Sequence, residues 1–443
     1  VTAVTIEAIP DARAGAARPT TTGGFDEPAF RALLEGLAPG AAARERERRL
    51  LHDEVRAVQA TGFGAQRLPV ELGGADLPFE TVIARLVDLA AADSNLAHVQ
   101  RGHLAFVEGL RLETAIGAGG PGGEPIPARL RIWADRVRAG EFVGNAQSER
   151  QTLGELGTRL ARRADGSLRL DGRKFYTTGS IYADWIHLAA LEGDERVALT
   201  VSTRQRGVVS IDDWDGFGQP LTGSGTTTFE DASVEAVEVE RGGDATRSPL
   251  IGGVFQLVLL AVVAGVAERA LADTVAFVRP RERTFGFAGS RPPRLDPLVQ
   301  AQVGRLSAVA AGARAIVLDA AQTLGGVLER TRRGEAAGHE ARDAQLAVFR
   351  AQHTVPTLVL GALAELFEVG GASAVGTGPA LDRHWRNVRT IASHNPTVQR
   401  LAALGQFELD GTLPEWSAPG APAAGTTAPP GGTSAQRDGG EDV

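Results

Sequence analysis

The segment Leu381-Asp-Arg-His-Trp-Arg-Asn-Val-Arg-Thr-Ile-Ala-Ser-His-Asn-Pro396 decides how the whole chain is read. It begins as an arginine-rich helix and runs into a loop that offers Ser393, His394 and Asn395 but no carboxylate. Imidazole ordinarily titrates near neutrality, so His394 is the group in this loop suited to hold or relay a proton.

Upstream, from Pro249 to about Gln406, apolar residues recur at helical spacing. Val303, Leu306, Val309, Ala313, Ile316, Val317, Ala320 and Leu324 make one stripe; Leu346, Phe349, Leu358, Leu360 and Leu363 belong to a later helix. Four long helices with short connections imply an antiparallel bundle. Ser248 to Ala267 carries no charge and is long enough to cross ~30 Å of hydrocarbon. Gly252, Gly253, Gly265 and Gln256 dilute it, and Glu268-Arg269 follow directly. A helix buried on all sides is the expected reading, with no membrane span. The stretch is too apolar to stand exposed, which is also an argument for a neighbouring subunit.

Between Phe142 and about Arg241 the period changes to two. Ser167 to Thr177 alternates around Asp171-Gly172, a hairpin signal, and Trp185–Leu191, Val197–Ser202 and Gly225–Glu230 are further strand candidates. From Glu27 to about Gly140 the pattern is helical, with Leu68 to Ala75 and Gly117 to Pro127 as loops. The expected architecture is α+β. It has a disordered tail (1–23), an N-terminal helical domain (24–140), a β domain (141–242), a C-terminal four-helix bundle (243–415) and a second tail (416–443).

Composition excludes several classes. The formal net charge of −8 argues against nucleic-acid binding. No cysteine is present, so disulfides, thiolate nucleophiles and cysteine-held metals are out, and no His/Asp/Glu cluster has metal-ligand spacing. No GxGxxG follows a strand, so no nicotinamide site of Rossmann type is expected. The first 23 residues lack the apolar core of a secretory leader, which makes the cytoplasm the expected location. There is no methionine, and Lys174 is the single lysine among 46 basic side chains, as a GC-biased coding sequence would produce. Since arginine serves everywhere else, Lys174 marks a place where a compact ammonium is wanted.

Six segments then stand in a telling order: Gly144-Asn-Ala-Gln-Ser-Glu-Arg150, Lys174–Gly179, Tyr182–Ile186, Asp212–Gln219, Ser224–Thr226 and Asp382–Thr390. Together they resemble acyl-CoA dehydrogenases, from about residue 25 to 415. The resemblance is closest to a flavin-dependent monooxygenase branch, that of dibenzothiophene monooxygenase and the SfnB-type sulfur-acquisition oxidoreductases. It implies a helical domain, a β-barrel or sandwich and a four-helix bundle.

The resemblance also implies a site. Asn145 and Ser148 match the mouth of the β domain where the flavin ring is bonded, and Thr177 and Thr178 match positions on its O4/N5 side. From the residues alone, all four are equally ordinary turn and strand positions. Arg283, just before Phe285, matches the arginine that reaches the flavin phosphate of a neighbouring subunit. Gly371 and Ser373 match a second cofactor loop, although the resembled enzymes carry arginine where this chain has Ser373. His394 matches a histidine near the flavin, and His103 one that faces the substrate pocket. His98 matches only the dibenzothiophene enzyme, which has a further histidine where this chain has Ile391. His52, His187, His339, His353 and His384 read as packing or surface residues.

The implied activity is that of a two-component monooxygenase in a homotetramer. A separate NAD(P)H:flavin reductase supplies reduced flavin, FMN (as FMNH2) with FAD as the other option. Oxygen is trapped as a C4a-(hydro)peroxyflavin, and a small apolar substrate is oxidised at sulfur, nitrogen or an aromatic carbon. His394, His103 and Thr178 would be the catalytic residues. The competing reading, an FAD-dependent acyl-CoA dehydrogenase, needs a glutamate base at 391–396 or on the first bundle helix, and Pro249–Ala267 contains no acid.

Overall fold

A computed structural model describes residues 24–117, 126–150, 156–241, 247–283, 291–336 and 338–414. The expected tails, the middle of the 117–127 loop and Phe285 lie outside the described residues.

Helices come first: α1 (Glu27–Leu37), α2 (Ala41–Arg46), α3 (His52–Ala60), α4 (Phe79–Ala92), α5 (Ser94–Val99), α6 (Arg101–Gly117) and α7 (Ala128–Arg138). Asp93 breaks α4 from α5 with extended backbone, and its carboxylate accepts the Asn95 and Leu96 amide hydrogens. The same carboxylate meets Arg44 at 2.8 Å in the interior, which fixes the direction in which α5 leaves.

The strands β1 (Val143–Ala146), β2 (Arg159–Arg162), β3 (Leu168–Phe175), β4 (Trp185–Glu192), β5 (Glu195–Ser202), β6 (Val208–Ser210), β7 (Thr226–Val234) and β8 (Val239–Glu240) form one mixed sheet. Its order is β6-β7-β3-β2-β4-β5-β8, with β1 added parallel to β4. The hairpin expected at Asp171-Gly172 is not there. Those residues lie inside β3, where the register with β7 slips between Leu170 and Gly172. Gly172 adopts φ 152°, and a Cβ on it would lie 2.6 Å from Thr158 Cα, so glycine serves close approach at a bulge and not a turn. The chain reverses earlier, where Arg163 N donates to Ser167 O at 2.8 Å around Gly166.

Lys174 is fully buried, and its Nζ donates to Glu149 at 2.6 Å. Glu149 also takes the Gly157 and Thr158 amide hydrogens, so the one ammonium ties β3 to the segment after β1.

The C-terminal helices are α8 (Arg247–Val278), α9 (Pro297–Arg332), α10 (Gly338–Glu365), α11 (Asp382–Ala392) and α12 (Thr397–Asp410). Three are long; the expected fourth is broken in two at Pro396, which opens α12 and has no N–H to continue α11. The apolar stretch of α8 is covered within one chain by α4, α9 and α10, with Leu257 to Ala264 at most 3% exposed. Each such Leu or Val contributes about 1.5–3 kcal/mol. Its composition therefore follows from its central position and does not require a neighbouring subunit. Gly265 is where α8 crosses α4: an added Cβ would sit 2.4 Å from Val87 O and 2.5 Å from Ala90 Cβ.

Candidate active site

The decisive segment is an anchored helix. Near the start of α11, Arg383 donates to Asp273 of α8 at 2.5 Å, and His384 Nε2 meets the same carboxylate at 3.0 Å. Burial, reinforced by Arg383, lowers His384 to about 4, so it is neutral and donates its Nε2–H. Burial opposes the charge on Asp273, but the His384 hydrogen bond and Arg383 outweigh it and hold the carboxyl at about 2. One turn on, Asn387 donates to Glu45 at 2.9 Å and accepts the Gln219 amide hydrogen at 2.7 Å. These bonds tie α11 to α8, α2 and the loop before β7, and so place the 393–396 loop.

His394 lands beside His98 and Arg101, the two groups whose fields act on it after desolvation. His394 itself is exposed, whereas His98 and Arg101 are buried. Desolvation first, then the charge of Arg101, pushes it well below its ordinary value, against the opposing Asn395 amide. The shift favours the neutral imidazole, away from the near-neutral titration its residue type suggests.

His98, the weaker of the sequence matches, is 5% exposed. Its Nδ1 lies 3.1 Å from Gln219 Oε1, an acceptor, so the ring hydrogen sits on Nδ1. Its Nε2 is a buried lone pair with no partner among the described residues. Burial and Arg101 lower it to about 4.

His103 differs. It is fully buried, its Nε2 lies 3.2 Å from Gly64 O, and its Nδ1 accepts Val143 N–H at 3.2 Å. Both nitrogens are engaged by backbone, so the expected pocket-facing role does not fit. His103 clamps α6 to β1. Gly102 beside it permits the approach, since a Cβ there would lie 2.6 Å from Asn145 Cβ.

At the mouth of the β domain, Asn145 is 6% exposed and its Oδ1 is unpartnered. Thr178 Oγ1 lies 2.8 Å from Ser224 Oγ, which lies 2.8 Å from Thr222 Oγ1, which donates to Gln219 O at 3.0 Å. The final carbonyl can only accept. Every hydrogen in this chain therefore points towards it, and Thr178 presents lone pairs at the other end. Thr177 is consumed by the sheet: its N–H and hydroxyl both donate to Gly225 O, and its carbonyl accepts from Ser180. Ser148 is exposed at the rim, and its carbonyl accepts from Phe175. Arg283 and Ser373 are exposed, and Gly371 has φ 51°. Along the chain they follow Val278 and Val369, which with Val299 form a separate small apolar cluster.

A carboxylate base is missing where a dehydrogenase needs one. Glu268, the first acid along α8, is paired with Arg314 at 3.0 Å. Sequence reading missed Arg101, Gln219, Ser224 and Thr222. The last two stand in a Thr/Ser-rich stretch whose composition is that of any turn.

Asn145 Oδ1 and His98 Nε2 are buried acceptors without a partner among the described residues, and the Thr178 hydroxyl, spent as a donor to Ser224, keeps its acceptor capacity. Known proteins share this fold. The family model described as "Acyl-CoA dehydrogenase, C-terminal domain" matches residues 257–399. Dibenzothiophene monooxygenase of Rhodococcus erythropolis is 27% identical over 87% of this chain and 93% of its own length. Amino sugar nitrososynthase DnmZ of Streptomyces peucetius is 30% identical over 82% of this chain and 88% of its own. The crystal structure of FMN-bound TdsC from Paenibacillus sp. A11-2 superimposes with a TM-score of 0.75 at 25% identity, covering 87% of this chain and 98% of that one. The chain belongs to the flavin-dependent monooxygenases of acyl-CoA dehydrogenase fold.

Proposed function

We propose that this protein takes reduced FMN from a separate NAD(P)H:flavin reductase and uses O2 to oxygenate a small, largely apolar molecule at sulfur, nitrogen or an aromatic carbon. The observation that carries the reading is the set of acceptors without donors: Asn145 Oδ1, His98 Nε2 and the Thr178 lone pairs. Buried acceptors are costly to leave unmatched, and a reduced flavin offers the N–H groups that match them. FMN is the flavin named in the TdsC structure. Bound flavin supplies the activation of O2.

The protein's own tasks follow from its residues. Asn145 and Thr178 would orient the ring, and a Thr178 locked as acceptor favours a hydrogen-bearing N5 over an oxidised one. His394, beside Arg101, would hold or hand on a proton, with His98 Nε2 as a nearby acceptor. The helices α5, α6 and α8 keep bulk water from this junction.

Arg283 follows the end of α8, and Gly371 and Ser373 follow the end of α10; all three are exposed, which fits phosphate binding across a subunit boundary and thus a homotetramer. Exposed apolar side chains on α9 and α12 add to it: Leu298 at 79%, Val398 at 69% and Leu409 at 89%. A monomeric mass from light scattering at micromolar concentration would contradict that assembly. A cytoplasmic location follows from dependence on a reductase and nicotinamide.

The test is a panel of thioethers, sulfones, indoles and amines with NADH, FMN, a flavin reductase and O2, read by mass spectrometry for added oxygen. Product that appears only with the reductase supports the reading. Reduction of bound FAD by acyl-CoA without reductase would replace it with the dehydrogenase.

A further inference from the structure

Arg101 opens α6 and is 8% exposed. Its Nε donates to Phe255 O at 3.2 Å, and its guanidinium lies 4.5 Å from the centre of the Phe255 ring. Of the five other buried arginines, four meet an acid: Arg44 meets Asp93, Arg67 meets Glu108, Arg111 meets Asp76 and Arg383 meets Asp273, while Arg400 lies over the Phe349 ring. Arg101 meets none among the described residues. Burial lowers its pKa to about 10, still far above neutrality, so it stays charged. Its electrostatic neighbours, His98 and His394, are imidazoles lowered first by desolvation and then by its charge. The fold thus holds a desolvated cation with no counter-charge, an arrangement that is costly unless something anionic arrives to complete it.

A small recess of mixed lining lies close by along the chain: Gln256, Gln352, Asn395 and Thr397 share its wall with Leu259, Leu260, Val263 and Ile391. Gln256 follows Phe255 and Asn395 follows His394.

We propose that Arg101 anchors an anionic group, a carboxylate or sulfonate-type oxyanion, on the substrate itself. The substrate is then an apolar thioether, amine or arene with an acid at one end. The proposal rests on the oxygenase reading of this site. Guanidinium suits such a group because its donors match two oxygens in one plane. The anion could instead be the deprotonated reduced flavin, and the experiment separates the two sources.

Binding of 4-(methylthio)benzoate and of neutral 4-(methylthio)benzamide is measured by equilibrium dialysis with reduced FMN present and oxygen excluded. Wild type should hold the acid roughly ten- to a hundredfold more tightly than the amide, as expected for a charge-assisted bidentate contact. Arg101→Gln should abolish that preference and Arg101→Lys retain part of it, while affinity for reduced FMN changes less than about twofold. Equal binding of acid and amide by wild type overturns the proposal and needs no variant to fold. So does an Arg101→Gln protein that loses reduced FMN but keeps the acid preference, since the guanidinium then serves the flavin. If the acid binds through Arg101 yet gains no oxygen from reductase, FMN and O2, the oxygenase reading fails and the anchor stands.

Discussion

The two ends of α11 behave in opposite ways. At its start, Arg383 and His384 are both satisfied by Asp273, and Asn387 by Glu45 and Gln219. Past its end, His394 stands beside a cation that meets no acid, and an imidazole whose Nε2 has no partner, among the described residues. The same contrast divides His103, bonded at both nitrogens, from His98, bonded at one. Saturated polar groups build the frame; unsaturated ones, held in place by that frame, are what a ligand completes.

The hardest blow to this contrast is His394→Ala. The fold and reduced-FMN binding should survive, while product falls by ~10²–10⁴-fold and flavin oxidation is diverted to H2O2. Near-normal product yield from the variant would remove His394 from the mechanism. His103→Ala is the control: its loss should appear in thermal stability, with coupling between flavin oxidation and product preserved in whatever protein folds.

Asp273→Ala attacks the saturated end. It strands Arg383 and His384 without their carboxylate, and with the Asp273 side chain 25% exposed the cost should be about 2–3 kcal/mol, below that of a fully buried pair. Urea denaturation measures it. A loss of activity as deep as that of His394→Ala, with unchanged stability, would mean that the anchor is chemical and not structural.

Thr178→Val keeps the shape and removes the acceptor. Reduced FMN should bind roughly five- to tenfold more weakly, the worth of one hydrogen bond, with oxidised FMN unaffected and Thr178→Ser restoring affinity. Equal weakening towards both redox forms would show that the hydroxyl does not read N5.

The gentlest probe is pH. The buried His98, His103 and His384 are lowered to about 4 from an ordinary 6.5, chiefly by desolvation. Between those values the unfolded chain binds protons that the native protein does not. Stability should therefore be flat above about 6.5 and fall as pH drops towards 4. Turnover under saturating reductase should likewise show no ionisation of His394 between pH 6 and 7, because its pKa lies lower. An inflection there that disappears in His394→Ala would contradict its neutral state.

Much of this protein was legible in its sequence. Periodicity alone separates helices, strands and helices, because burying one face of a helix or strand leaves a period of 3.6 or 2 in the chain. The apolar run of α8 announced a core helix, and the arginine-rich helix with its acid-free loop announced the branch of chemistry. Other features depended on neighbours far away in the chain. Asp171-Gly172 carries a turn signal, yet Thr158 presses on it and makes it a bulge. His103 and His98 are five positions apart with equal intrinsic chemistry. Only the approach of Gly64 and Val143 saturates the first, and only the single contact with Gln219 leaves the second open. Arg101 is one arginine among dozens until the fold buries it with no acid meeting it among the described residues. Sequence by itself determines which groups can donate, accept or carry charge; tertiary structure decides which are already satisfied, because desolvation and partner geometry are set by residues distant in the chain.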